Sequence, residues 1–431
     1  MREDKKLILK KISITTVLCL MLCGCMMLTA CTSKEEPANI PMENEIEQTA
    51  QESPVSEVQD ENKKLQSETL ANAIDAEKEE KTSESPAGEA QAEITNEQPE
   101  SEEQPQAPSN PYDFTICFAG DINLDEAWST TQFLNQQENG IRDCISEELI
   151  AYMQQADVMC LNNEFTYSLQ GAPLEGKMYT FRANPERVSI LQEMGVDLVK
   201  LANNHVYDYG KQALLDTFET LENAGIPYIG AGRNLEEAMK PVYIELDGKT
   251  VAFVAASRAE KYKMTPQATA EEPGILRCYD TTLFLETIAE ARKNADFVLA
   301  YVHWGTEYSY ELQEVQLTTG KEYLDAGADA IIGAHSHCLQ GMEYYDGKPI
   351  IYSLGNYWFN DKTLDTMLVN LHFYGDDENK SVEVQVVPAL QSGLRTQIAK
   401  DEAEQERIYT FLEDISVNVE IDSEGIVHEK N

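Results

Sequence analysis

VDLVKLANNH, residues 196–205, carries the reading that decides the fold. Its first six residues have the length and apolar content of a strand, and the run stops abruptly at Asn203, Asn204 and His205. Five other stretches repeat the pattern. FTICFA (114–119) ends at Gly120-Asp121, and ADVMCL (156–161) ends at Asn162-Asn163-Glu164. FVLAYV (297–302) ends at His303-Trp304-Gly305, ADAIIG (328–333) at Ala334-His335-Ser336-His337, and PIIYS (349–353) at Leu354-Gly355-Asn356. Helical patterns lie between them. Residues 185–194 start after Asn184, a capping residue with Pro185 at the first helical position, and stop at Gly195. Residues 211–224, 281–294 and 313–326 behave alike. Alternating strands and helices predict an α/β fold, a layered sandwich of β-sheets flanked by helices. Ligands in α/β folds bind at the carboxyl ends of strands, so six such tips are expected around one point.

Each tip alone is weak evidence, because a lone Gly-Asp is a common turn and a lone Asn-His pair is more often structural. Together they are specific. The chain has six histidines, and four of them (His205, His303, His335, His337) fall at strand tips. His372 and His428 do not, and read as structural. Imidazole combined with carboxylate suits Mn, Fe or Zn.

The order Asp121, Glu164, Asn204-His205, His303, His335-x-His337 resembles the calcineurin-like metallophosphoesterases. A closer resemblance, over about residues 114–388, is to the CapA family of bacterial capsule-synthesis (poly-γ-glutamate) proteins. It is carried by Ala119-Gly120-Asp121, Asn163-Glu164, Tyr179-Thr180-Phe181-Arg182-Ala183 and Leu201-Ala202-Asn203-Asn204-His205 with Asp208-Tyr209-Gly210. It continues through His303-Trp304-Gly305-Thr306-Glu307-Tyr308, Gly333-Ala334-His335-Ser336-His337 and Tyr352-Ser353-Leu354-Gly355-Asn356. The resemblance implies a metallophosphatase-like sandwich holding one or two divalent ions. Glu164 stands where a carboxylate bridges two ions; Asp121 and His337 would hold one ion, and Asn204, His303 and His335 the other. His205 would be a general acid, Arg182 an anion clamp, and Asp208, Glu307 and Asn356 would orient the ligands. The chain departs from the phosphoesterases at its first tip, where Asn123 replaces histidine, and at its second, where Glu164 replaces aspartate. One ion position is therefore a ligand short.

The formal net charge is −43 over 431 residues, which leaves no basic footprint for nucleic acid. Residues 32–110 hold 21 acidic against 5 basic side chains and no aromatics, the composition of a solvated tether. Ahead of them, Arg2, Lys5, Lys6, Lys10 and Lys11 precede an uncharged apolar run from Ile12 to Leu28. This is export-signal architecture. Leu28-Thr29-Ala30-Cys31 resembles a lipobox with Cys31 as the lipidated residue; Leu22-Cys23-Gly24-Cys25 is a weaker match, and an uncleaved anchor is the alternative. The expected organisation is a signal over 1–31, a tether over 32–110, a folded domain over 111–395 and a C-terminal helix and tail over 396–431. Of the nine cysteines, four lie in the first 31 residues; the other five, Cys117, Cys144, Cys160, Cys278 and Cys338, are scattered with no CxxC spacing, so the set is no disulfide framework and most read as buried apolar residues.

Three functions follow as expectations. The first is an extracytoplasmic, lipid-anchored component of capsule-polymer synthesis or export, with an anionic polymer and capsule-synthesis membrane proteins as partners. The second is a metal-dependent cell-surface hydrolase of a phosphoester or amide-type bond. The third is a non-catalytic polymer-binding module. Trp304, Tyr344-Tyr345 and Tyr357-Trp358-Phe359 are read either as pocket walls or as ordinary packing.

Overall fold

The computed structural model describes residues 111–260 and 264–430. The expected export signal, the expected lipidation residue Cys31 and the expected tether lie outside these residues.

Strand alternation sorts the apolar residues into layers. In the strand Tyr112–Ile122, Phe114, Ile116 and Phe118 face one core, while Cys117 and Ala119 face another. In Phe297–His303, Phe297, Leu299 and Tyr301 join the first of these cores, and Val298, Ala300 and Val302 a third. The shared core lies between two sheets. Phe118 meets Tyr301 edge-on at 5.8 Å between centroids, and the Tyr301 hydroxyl donates to the Ala119 carbonyl at 2.8 Å. Aromatic pairs of this kind add about 1 kcal/mol each beyond their buried area.

The first sheet places Tyr112–Ile122 parallel to Val158–Asn163, followed by Leu198–Lys200 and Tyr228–Ile229. On its other side run the antiparallel strands Leu364–Gly375 and Lys380–Ser392. The second sheet aligns Lys249–Ser257, Phe297–His303, Ala330–Ala334 and Lys348–Leu354 in parallel, with Val242–Leu246 and Leu339–Tyr345 as antiparallel edges. Helices cover both outer faces. Gly210–Ala224 buries Leu214, Phe218 and Leu221 against the first sheet, and Thr282–Lys293 buries Phe284, Ile288 and Ala291 against the second. The result is the layered α/β sandwich expected from the alternation.

Local signals behave as their chemistry dictates. The Asn184 side chain accepts from the Glu186 amide at 3.0 Å, capping a 3₁₀ turn, Pro185–Arg187, that leads into the helix Val188–Met194. Asp247-Gly248 and Asp346-Gly347 form hairpin turns with positive φ at both residues. Cys117, Cys144, Cys160, Cys278 and Cys338 are buried free thiols.

The C-terminal segment is built into the same body. The strand Arg395–Ile398 straddles the boundary expected at residue 396 and pairs with Lys380–Ser392. The helix Glu402–Asp414 buries Ile408 and Leu412 in the core between the sheets, and Ile426–Glu429 pairs with Lys380–Ser392. Among the described residues, no helix is long and apolar enough to cross a membrane.

Candidate metal centre

The parallel strands of both sheets end at a common edge, and there the backbones nearly touch. The Asp121 amide donates to the Gly355 carbonyl at 2.9 Å, joining the tip of the first sheet to the loop that leaves the second. Asp121, Glu164, Asn204, His205, His303, His335, His337 and Asn356 are all buried around this junction.

Glu164 is at the centre. Its Oε1 lies 3.6 Å from His303 Nε2, 3.9 Å from His337 Nε2 and 4.0 Å from His205 Nε2. That oxygen has no hydrogen-bond partner among the described residues, and neither has Nδ1 of His335. A buried carboxylate oxygen without a donor is costly unless a cation meets it. Two ligand groups share Glu164: one with His303 and His335, the other with Asp121 and His337. The donor set and the unpartnered Oε1 therefore fit a divalent ion.

Electrostatics agree with this arrangement. Burial, and then the neighbouring Asp121, push the Glu164 carboxyl well above the usual range. Burial also opposes ionisation of Asp121, but the hydrogen bond and charge of His337 outweigh it and hold that carboxyl below its usual value. The same contact raises His337 against the opposing effect of burial. Burial, reinforced by His337, lowers His335 to about 3. Ion and proton compete for Glu164, so lower pH favours the proton. Mn²⁺ affinity is expected to weaken as pH falls, as read by calorimetric titration at several pH values.

The second nitrogens of the imidazoles are held differently. His337 Nδ1 donates to Asn356 Oδ1 at 2.8 Å, and His205 Nδ1 donates to Asp208 at 2.7 Å. Both rings then present an Nε2 lone pair toward Glu164, the arrangement metal-ligating histidines require. His303 differs: Lys200 Nζ lies 2.8 Å from its Nδ1, and Asn204 Oδ1 lies 2.7 Å from its Nε2. Lys200 is fully buried, and burial lowers its ammonium to about 8 against the opposing pull of Asp121 and Glu164.

The backbone is strained at both residues of the His-x-His turn, with φ of 103° at His335 and 55° at His337. Non-glycine residues in this region cost on the order of 1–3 kcal/mol each, and such strain clusters at functional sites.

The expected supporting residues divide. Asp208 is fully engaged: it accepts from His205 and from the Phe181 amide at 2.8 Å, and pairs with the buried Lys177 at 2.7 Å. Asn356 holds His337. Glu307 is exposed at the rim, where its charge raises His337 and Glu164. The Arg182 guanidinium is directed elsewhere: it donates to the carbonyls of Gln170 and Gly171 and stacks 4.2 Å from the Tyr209 ring. Asn123 Oδ1 accepts from the Asp125 amide at 2.8 Å, a contact within its own loop, and Asn123 is in neither ligand group. Trp304 is core, its indole donating to the Tyr352 carbonyl at 2.9 Å. Tyr357 and Trp358 are core as well, whereas Phe359 packs 4.5 Å from the His337 ring and Phe181 packs 4.4 Å from His205.

Four contributors escaped the sequence reading. Asn162 Nδ2 donates to both carboxylates, 2.6 Å to Asp121 and 2.8 Å to Glu164. Asn203 Nδ2 in turn donates to Asn162 Oδ1 at 3.0 Å. Lys177, whose side chain is 5% exposed, and the fully buried Lys200 are the cations beside the centre. The available signal was Lys200 itself, a charge inside an otherwise apolar strand.

Fold and constellation together define a layered α/β protein with a buried carboxylate–imidazole centre able to hold a divalent ion. The chain belongs to the bacterial capsule synthesis protein family PGA_cap, whose profile matches residues 115–361 and so spans every residue of that centre. It is 33% identical over 232 residues to the PGA biosynthesis protein CapA of Bacillus subtilis, covering 53% of this chain and 60% of that one. It is 31% identical over 284 residues to the capsule biosynthesis protein CapA of Bacillus anthracis, covering 64% and 66%. The chain thus matches less than two thirds of the length of these relatives. Among solved structures, a putative 5′-nucleotidase from Staphylococcus aureus, in complex with α-ketoglutarate, aligns with a TM-score of 0.39 at 18% identity, covering 70% of this chain and 58% of that one.

Proposed function

We propose that this protein is an extracytoplasmic, lipid-anchored component of the synthesis or export of an anionic capsule polymer such as poly-γ-glutamate, with a divalent ion at the Glu164 centre. Family membership and the names of its Bacillus relatives support the capsule assignment. The export signal and lipobox at Cys31 support the location. The observation that carries the metal assignment is Glu164 Oε1, unpartnered and faced by three imidazole nitrogens.

When bound, a divalent ion there supplies Lewis acidity toward a substrate oxygen and a more acidic water. The chain's own residues supply the rest. Asp208 accepts from His205 Nδ1, so Nε2 is the atom that takes up a proton and, from the imidazolium, passes it to a leaving group. Burial outweighs the pull of Asp208 and lowers His205, which favours release of that proton. Phe181 packs against the His205 ring and Phe359 against that of His337, placing apolar walls beside both imidazoles. These features favour a second reading within the first: hydrolysis of a polymer amide or a phosphoester. Asp208→Asn is expected to lower such turnover by about 100-fold with metal content unchanged, measured as glutamate released from poly-γ-glutamate and phosphate released from an aryl phosphoester.

Deletion of the gene tests the main proposal. Surface polymer is expected to disappear and to return with the wild-type gene but not with His335→Ala/His337→Ala. Unchanged polymer in the deletion strain defeats the capsule assignment. Full rescue by the double variant defeats the metal's part in it.

A further inference from the structure

We infer that Tyr308 and Lys362 form a carboxylate subsite at the rim of the centre, beside His337, and that it takes a free α-carboxylate of a polymer such as poly-γ-glutamate. The inference rests on the anionic-polymer reading above and goes beyond it by naming the residues and the group they recognise.

Tyr308 is brought to the rim by its backbone. Its amide donates to the Ser336 carbonyl, inside the His-x-His turn, at 2.6 Å. Its φ is 57°, a left-handed conformation that is costly for a bulky residue. The ring centroid lies 5.7 Å from that of His337, yet the residue stays 43% exposed. The strain therefore holds an accessible ring beside the imidazole instead of filling the core.

The donors there are unspent. Asn360 Oδ1 accepts from the Lys362 amide at 3.1 Å and from Gln391 Nε2 at 3.0 Å, which leaves its Nδ2 to donate to the Tyr308 hydroxyl at 3.2 Å. With its oxygen already accepting, the phenol has its own proton to give. Lys362 Nζ lies 4.6 Å from the centroid of the same ring. Lys362 is exposed, and among the described residues it has no carboxylate partner. Elsewhere in this acidic chain the exposed cations Lys211, Arg233, Lys293, Lys400 and Arg407 each lie against a carboxylate. A cation over an aromatic face keeps its three N–H donors for another partner.

The loop that carries Lys362 is fixed from beneath. Gln391 is fully buried; its Oε1 accepts from the Phe359 amide at 2.9 Å, and its Nε2 donates to the Lys362 carbonyl at 3.0 Å. Phe359 in turn packs against His337. Ordering this loop is therefore done before a ligand arrives, which spares the ligand that cost.

A charged and a neutral donor side by side suit an oxyanion. Glu307 and Asp361, both exposed, flank the pair. They disfavour the two charges of a phosphate more than the single charge of a carboxylate, and a γ-linked glutamate chain offers one carboxylate at every residue.

Fluorescence anisotropy of a labelled poly-γ-glutamate oligomer, beside the same oligomer as its methyl ester, tests this with the purified full-length chain, in EDTA and again with Mn²⁺. The wild type is expected to bind the acid about tenfold more tightly than the ester in both conditions. Lys362→Met and Tyr308→Phe should each weaken binding of the acid by about fivefold and leave that of the ester unchanged, and Lys362→Arg should restore most of the loss. Inorganic phosphate should displace the oligomer only weakly. Variants that bind the acid as the wild type does, or that lose acid and ester alike, overturn the inference. A preference for the acid that needs Mn²⁺ and survives both substitutions places the recognition on the ion and overturns it too. Phosphate that binds more tightly than the oligomer, and does so only while Lys362 is present, overturns the carboxylate assignment. A wild type that binds neither acid nor ester overturns the polymer reading itself.

Discussion

Glu164→Gln is expected to abolish metal binding and leave the fold standing. In the wild type, Glu164 Oε1 is buried, unpartnered and within 4.0 Å of three imidazole nitrogens, while Oε2 accepts from Asn162 at 2.8 Å. Glutamine keeps the shape and the acceptor for Asn162, but places an NH₂ where a cation would sit. That group donates toward imidazole lone pairs, so the metal-free protein loses an uncomfortable buried carboxylate and gains a hydrogen bond. Metal content should fall below about a tenth of an equivalent, since the carboxylate common to both ligand groups is gone. The metal-free melting temperature should rise. Differential scanning fluorimetry with and without Mn²⁺ reads both effects. A variant that still shifts upward on adding Mn²⁺ removes Glu164 from the centre.

Gly120→Ala is expected to have the largest effect on stability. A Cβ at this position would lie 1.9 Å from the Gly355 carbonyl oxygen and 3.1 Å from that of Leu354. These are backbone atoms that no side-chain rotation can relieve. They belong to the segment whose carbonyl accepts from the Asp121 amide, so relief must push apart the two strand ends that form the centre. The cost is expected to be about 3 kcal/mol in denaturant unfolding, with weakened metal binding alongside. Gly248→Ala is the control. Gly248 has φ of 77° but open space where a Cβ would go, so only the backbone preference is lost. About 1 kcal/mol is expected there, with metal binding intact.

Both predictions rest on features that differ in how far a linear reading reaches them. The strand Phe297–His303 was legible because its length, apolar content and polar stop are properties of adjacent residues. So were the helix ends at Gly195 and Gly225, where a left-handed residue closes a helix and glycine adopts it cheaply. Asp121, Glu164, Asn204, His303, His335 and His337 were legible as a group because parallel strands deliver their tips to one edge. The C-terminal tail was read as a separate piece because nothing local says that Ile408 and Leu412 complete the core between the sheets.

The sequence by itself determined the layered α/β architecture, the edge at which the ligands gather and the family to which the chain belongs, since periodicity, turn chemistry and motif order are all written along the chain. The tertiary structure alone decided that Asn162 clamps two carboxylates 41 and 2 residues away, that Arg182 turns to backbone carbonyls, and that Lys200 backs His303 across 103 residues. The reason is physical. Which way a side chain faces follows from local alternation, but which donor meets which acceptor depends on the register of strands brought together from distant parts of the chain, and the polarity of each imidazole follows from that meeting.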